Sequence, residues 1–521
     1  MGVQKKIQFT LEFDRDLHSY LKEEYPWVSD YRVVSKSLDA RGANKGRRPS
    51  FIYHLEVVGE NDEFEQSIEK LVDLKDCNHR PIIIGAGPAG LYAALRLTEY
   101  GLKPIIFERG DSAQKRMQKI AKFWRYGQLD LDTNVCFGEG GAGLFSDGKL
   151  ITRVKSNHIS YVMKKIVDFG APKETAYTSN PHLGSNKIRN IIFKMSEYLK
   201  NCGVDIFYNT KVDNLLFSGD QVIGIATKER GEFKSDFVIL ATGHSAHEVY
   251  QHLSENGVAM KGKDFAIGVR IEHKREYLDK IQLGDFCGDP LIGSSRYRLA
   301  DHNKETGRGC YSFCMCPGGY VLSSGTEKDG IVVNGMSNYK RSSAWSNSAL
   351  VVSVKAGIDF SSDDVLSGIK FQRDIEKRAF ELSRKSASGR ELPYQRVGDF
   401  LEGKIGKLAD PISSSPSKIV KSNLDEILPN FVTEHLRSSL ESFDRKIKGF
   451  MNMDALLIAP ETRTSSPVTI SRDKISYQSL SHAGLYPCGE GAGFAGGITS
   501  SAVDGVNVAD AIADRVKGAS I

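Results

Sequence analysis

Three short runs of alternating apolar and polar positions, at residues 7–13, 31–38 and 51–58, predict strands by their β-branched and aromatic content. A helix over 16–25 completes a small α/β module, ferredoxin-like in outline, ending near residue 78. The pattern changes abruptly at Arg80. Pro81-Ile82-Ile83-Ile84 is wholly apolar, residues 88–100 carry a helical period, and 104–107 form a second buried strand. A helix over 187–202 follows, then four β-rich segments at 204–208, 211–217, 221–228 and 233–240, with turn residues such as Ser218-Gly219-Asp220 between them. Beyond residue 246 the chain mixes strand-like pieces (265–271, 330–334) with helices over 363–388 and 432–448. The final stretch returns to a strand, a glycine-rich loop and a helix. The expected organisation is an N-terminal module over 1–78, a Rossmann-type α/β domain with three ββα layers built from 79–245 and 455–521, and an inserted α+β domain over 246–454.

Gly85-Ala86-Gly87-Pro88-Ala89-Gly90 matches the GxGxxG pattern, which gains weight from its setting. An apolar strand precedes it, a helical run follows, and Glu108 closes the next strand. Gly85 permits a tight turn, Gly87 lets backbone approach a pyrophosphate, and Gly90 clears the helix–strand contact. The helix N-terminus offers free N–H groups and partial positive charge to phosphates. Glu108 is then placed to accept hydrogen bonds from an adenosine ribose. Two further hexads carry the same letters. Gly138 to Gly143 has no strand before it and no helix after it. Gly491 to Gly496 has both, but too little chain follows for a second strand, so it must complete a sheet made elsewhere.

Composition narrows the class. With 521 residues, 40% apolar and 26% charged, the chain is globular and long enough for two or three domains. Seventy basic against 65 acidic side chains leave +5, giving no support to nucleic-acid binding. Eight cysteines are too few for a disulfide scaffold, and no secretory leader is evident. Gly2 is followed by Lys6 where a myristoylation signal needs Ser or Thr. No apolar run is long enough to span a membrane. A cytoplasmic setting is expected.

These segments resemble the FAD-dependent oxidoreductases of the glutathione-reductase fold. Residues 80–110, ending in Glu108-Arg109-Gly110, are similar to that family's opening βαβ unit. Phe237-Val238-Ile239-Leu240-Ala241-Thr242-Gly243 resembles its second signature, and Leu485-Tyr486-Pro487-Cys488-Gly489-Glu490-Gly491 its third, with Glu490 where the family carries aspartate. The closer resemblance is to an uncharacterised group of bacterial FAD-dependent dehydrogenases. It rests on residues 140–149, Cys314-Met315-Cys316-Pro317-Gly318-Gly319, Glu461-Thr462-Arg463-Thr464-Ser465-Ser466-Pro467, and residues 489–505. The resemblance implies FAD as cofactor. Its contacts would fall at Gly85, Gly87, Pro88, Ala89, Gly90, Glu108 and Arg109. Others would fall at Gly140, Gly141, Ser146, Lys149, Val212, Ala241, Thr242, Gly243, Gly489, Glu490, Gly497 and Ile498. The last helix would aim its N-terminus at the flavin pyrimidine edge, where charge develops on reduction.

The expected activity is hydride transfer between FAD and a small organic substrate, which the sequence does not identify. Cys136 has no partner at CxxxxC spacing and no second nucleotide hexad lies between 150 and 480, which excludes a disulfide reductase of that fold. NAD(P)H remains possible as a transient electron donor. Arg270 and Arg463 are candidate anion clamps or structural ion pairs, the latter with Glu461 or in a ribose-phosphate contact. His273 is a candidate acid/base residue. Cys314 and Cys316 either pack a strand-to-turn segment or exchange electrons with the flavin. No metal site is expected. Two other readings stay open: an RNA-modifying flavoprotein or RNA-binding partner, motivated by the basic loop Arg41-Gly42-Ala43-Asn44-Lys45-Gly46-Arg47-Arg48, and a non-catalytic flavin sensor or scaffold.

Overall fold

Apolar runs of three residues, too short to stand alone, pair edge to edge into a five-stranded parallel sheet. Its order is Leu485–Pro487, Val238–Leu240, Ile82–Ile84, Ile105–Phe107, Asp205–Phe207. The computed structural model describes residues 4–64 and 71–519; Gly2 lies outside the described residues. Alternation along the strands sorts the side chains into two layers. Ile83, Ile106 and Ile239 join a core with the helices Pro88–Glu99, Gly184–Asn201 and Ile498–Ala519. Ile82, Ile84, Ile105, Phe107, Val238 and Leu240 face an antiparallel meander, Asn214–Ser218, Gln221–Thr227 and Gly231–Lys234. This gives a mixed α/β Rossmann-like unit covered on both faces, as parallel strands require. The expected single segment at 233–240 divides, because Gly231–Lys234 closes the meander while Val238–Leu240 enters the parallel sheet.

The two ends of the unit meet through close packing. A Cβ on Gly505 would lie 2.1 Å from the carbonyl oxygen of Ala89, so the last helix rests directly on the first. Arg96 on the first helix is buried and donates to Asp510 on the last at 2.6 Å.

A second core forms around a seven-stranded sheet in the order Ala300–Asn303, Arg308–Cys316, Trp345–Val354, Phe265–Lys274, Leu456–Glu461, Leu392–Arg396, Ile419–Lys421. The helices Ser367–Ser383 and Asn430–Lys446 contribute to that core. Two segments change sides relative to expectation. Leu456–Glu461, placed at 455–521 with the nucleotide unit, pairs instead with Phe265–Lys274 and Leu392–Arg396. The helix His247–Glu255, placed in the insert, buries Tyr250 and Leu253 against Ile82 and Val238. An apolar run alone does not say which sheet will take it. The strand expected at 330–334 is Val333–Met336, paired with Tyr320–Ser323 in a separate ribbon.

At the N-terminal end, Lys5–Glu12, Leu17–Glu24, Asp30–Asp39 and Ser50–Val58 form a βαββ unit with the third strand between the first two and antiparallel to both. This is the arrangement of the first half of a ferredoxin-like module. No further strand or helix of the module lies among its described residues. Asp16 caps the helix, its carboxylate accepting from the Ser19 N–H at 2.9 Å. The basic loop turns back on left-handed Gly42 and Gly46. Ala43 packs there against Leu283 and Ile292, while Asn44 donates to the Ile281 carbonyl at 3.0 Å. Among the described residues, no helix is long and apolar enough to cross a membrane.

Candidate functional site

The C-terminal ends of the parallel strands open into a cavity of about 1420 Å³, roofed by the seven-stranded sheet. That exceeds the roughly 300–1,000 Å³ of most small-molecule pockets. Gly85, Gly87, Pro88 and Ala89 line it. Gly85 has φ +105°, and a Cβ there would lie 2.5 Å from the Ala241 carbonyl oxygen, so the first loop and the Ala241-Thr242-Gly243 segment touch. Gly90 lines no part of the cavity; a Cβ there would meet Gly85 O at 2.0 Å. Gly87 differs. Its nearest neighbour would be Gly141 Cα at 3.9 Å, so a side chain would enter the cavity.

The Gly138–Gly143 loop lies against this turn. Gly140 N–H donates to Ala86 O at 2.8 Å, and Gly141 lines the cavity opposite Gly87. Arg116, which carries no local mark of its role, organises that loop. Its buried guanidinium donates to the carbonyls of Asn134, Val135, Gly138, Glu139 and Gly141. Gly148 and Ser146 close the next turn, with Ser146 Oγ donating to Gly143 O at 2.8 Å. Lys149 donates to the Met315 carbonyl and stands 3.4 Å from Asp147. Although burial opposes it, Lys149 and Arg341 hold the Asp147 carboxyl well below the usual range.

Glu108 lines the cavity, but its carboxylate is already an acceptor for three backbone N–H groups, those of Ala86, Gly110 and Gly138, each at 2.9 Å. It therefore orders both glycine loops. Arg109 lies over the Phe137 ring and is bonded to Asp132 and Glu248. Val212 lines the same end.

At the other end, Thr242, Gly243, Glu490, Gly497 and Ile498 share the wall with His244, which the sequence reading passed over although it directly follows Ala241-Thr242-Gly243. His244 Nδ1 stands 3.5 Å from Glu490, and its Nε2 is buried without a partner. Burial, then Arg463, pulls the His244 pKa to about 4. Burial pushes Glu490 up to about 7, against the opposing pull of Lys263. Gly489 does not line the cavity; it turns the chain at φ +77° with its N–H on Asp504. Because the folded pKa of Glu490 exceeds the ordinary 4.5, its charge costs stability progressively as pH rises between 4.5 and about 7. Glu490→Gln should therefore match the wild-type melting temperature near pH 4.5 and exceed it above pH 7. A difference that stays flat across that range would remove the perturbed carboxyl.

The expected catalytic residues divide. Arg270 is no substrate clamp: it is fully buried and does not line the cavity. It makes a bidentate pair with Glu461 at 2.8 and 3.0 Å and donates to Cys314 O, Asn334 and Asn347. Arg463 lines the cavity, but its partner is Glu376, at 2.9 and 2.8 Å, rather than Glu461, with Thr326 taking its remaining nitrogen. His273 is no acid/base residue for this cavity. It is buried beside Phe450, with one ring nitrogen on the Phe450 carbonyl, and burial lowers its pKa to about 4. Cys314 lines the cavity at φ +45°, where the strand bulges, whereas Cys316 is buried behind it with its thiol on Cys314 O. The neighbouring Cys316 thiol, then Lys149 and Arg270, lower the Cys314 thiol well below its usual range. No group of side chains suited to a metal ion occurs among the described residues.

The facing, side-chain-free Gly87 and Gly141, a buried acid at the strand end and an orphaned His244 nitrogen at the far wall fit an extended dinucleotide. A family model described as "FAD-dependent protein, C-terminal domain-like" matches residues 264–464, and one described as "NAD(P)-binding Rossmann-like domain" matches 83–120. The protein is FAD-dependent, with a Rossmann-like nucleotide-binding fold, and FAD is its cofactor. The chain belongs to the same family as an uncharacterized protein of Clostridium beijerinckii, 39% identical over 502 residues that cover 94% of this chain and 93% of that one. Among solved structures, the halogenase PltM covers 85% of this chain and 70% of its own at 10% identity, with a TM-score of 0.39. Glycine oxidase from Bacillus cereus covers 85% and 96% at 11% identity, with a TM-score of 0.31. Scores this low say nothing of the reaction.

Proposed function

We propose that the protein is an oxidoreductase that transfers hydride between FAD and a small organic substrate held between the parallel-sheet unit and the seven-stranded sheet. The observation that carries this reading is the single cavity, lined at one end by Gly87 and Glu108 and at the other by Cys314, His244 and Glu490. Bound FAD supplies the hydride chemistry. In this reading Gly87, Pro88, Ala89 and Gly141 admit the pyrophosphate, and Glu108, Arg109 and Val212 hold the adenosine end. Ala241, Thr242, Gly243 and Glu490 follow the ribityl chain. Gly497 and Ile498 open the last helix toward the ring, where its N-terminal dipole favours negative charge. Lys149 adds a cation held in place by Met315 O and Asp147. His244 and Glu490 replace His273 as the groups able to hold or move a proton.

NAD(P)H is proposed as a transient donor, docking without a dedicated Rossmann unit. Anaerobic mixing of the yellow holoprotein with NADH or NADPH in a stopped-flow instrument is the test. Rapid bleaching by one of them is expected. Flavin that no nicotinamide or organic reductant bleaches would leave the sensor reading in possession. In the basic loop that motivates the RNA reading, Arg41 is paired with Asp39, and Arg48 with Asp14 and Glu12.

A further inference from the structure

Most of the cavity's acidic side chains are already bonded within the protein, whereas two of its arginines are not and a third makes a single bond. Glu108 accepts three backbone N–H groups, Asp147 pairs with Arg341 and Lys149, and Asp213 accepts from the Lys228 N–H. Glu248 pairs with Arg109 and Lys211, Glu461 with Arg270, and Glu490 stands beside His244. Arg153 and Arg298 line the same cavity with no hydrogen bond or ion pair among the described residues, and Arg296 makes one bond, to the Asn180 carbonyl at 3.3 Å.

Arg296 and Arg298 stand at the roof, and Arg153 lies in the loop that follows Lys149. Arg296 and Arg298 enter the edge strand Ala300–Asn303, and Leu299 is hydrogen-bonded to Ser312, two residues before Cys314. Arg153 lines the same cavity as Tyr311, which is on the same strand as Ser312. Arg296 neighbours Arg341 and Asp147. It is open to the cavity, yet burial, and then Arg341, pull its pKa down to about 10. Guanidinium forks on a concave wall suit an oxyanion with more than one charge.

We propose that Arg153, Arg296 and Arg298 form an anion subsite beside Cys314, and that the substrate or co-substrate bears a dianionic group, a dicarboxylate or a phosphate monoester. This rests on the reading of the cavity as the substrate site, but binding is measured without turnover, so either can fail while the other stands. Calorimetric titration of the FAD-loaded protein with succinate, inorganic phosphate and acetate, at constant ionic strength, is the test.

Saturable binding of succinate or phosphate, at least tenfold tighter than acetate, is expected. Succinate binding alone assigns the subsite to a dicarboxylate, and phosphate binding alone to a phosphate ester. Arg296→Gln and Arg298→Gln should each weaken that binding at least tenfold while keeping full flavin content and an unchanged melting temperature. Absence of dianion binding overturns the proposal. So does a pair of variants that lose FAD but bind the dianion as before, which would make these arginines part of the cofactor site.

Discussion

Gly87→Val should give a folded, colourless protein. The Gly87 backbone is extended at φ −76°, ψ −177°, a conformation valine adopts without strain. A Cβ there meets nothing closer than Gly141 Cα at 3.9 Å, so the substitution does not disturb packing within the chain. What it does is send two methyl groups into the gap between the glycine loops, where a pyrophosphate needs backbone contact. An affinity loss of a hundredfold or more, about 3 kcal/mol, is expected. The ratio of flavin to protein absorbance after purification reads the loss, and thermal melting followed by circular dichroism reads the fold. Gly90→Ala is the contrasting case. Its Cβ would press to 2.0 Å from the Gly85 carbonyl oxygen, so melting temperature and flavin should fall together. A yellow Gly87→Val protein with full flavin would put the pyrophosphate elsewhere.

Local patterns were legible in the sequence, and long-range pairings were not. The glycine turn, its flanking strand and helix, and the acid at Glu108 are set by steric demands that act within a few residues. The same is true of the final strand and helix, whose lack of a second strand already required a sheet made elsewhere; Val238–Leu240 supplies it. Arg270 and Glu461 stand 191 residues apart, and neither carries a local mark of the other. The reading that paired Glu461 with Arg463 used nearness in sequence, but the strand ends at Glu461, whose carboxylate is taken by Arg270, and Arg463 beyond that end pairs with Glu376. His273 was misjudged for a related reason. Its polar neighbours Glu272 and Lys274 imitate a strand end at the surface, whereas the strand is central and Glu272 itself is buried on Ser414. His244 carried a usable signal, its position directly after Ala241-Thr242-Gly243.

Arg270→Met should destabilise the protein by about 3–5 kcal/mol, because it strands a buried carboxylate. Arg270 and Glu461 are 0% and 3% exposed, and the guanidinium supplies the hydrogen bonds that Glu461 receives. Burial already raises the Glu461 pKa even with Arg270 beside it, so without Arg270 the folded state should favour the protonated acid more strongly. The sign follows from linkage. A folded pKa above the unfolded 4.5 makes the deficit grow as pH rises from that point, so the variant should lose more at pH 8 than at pH 5. Urea denaturation at the two pH values measures both quantities. Arg270→Met with Glu461→Leu should recover much of the loss, since paired removal leaves no orphan charge. A deficit below about 1 kcal/mol, or one indifferent to pH, would mean the pair is not buried as described. Arg270 also holds the carbonyl of Cys314 at 3.0 Å and is one of the cations that lower its thiol, so the single variant should leave the Cys314 thiol slower to react with Ellman's reagent. That readout separates an arginine that shapes the cavity wall from one that merely fills the core behind it.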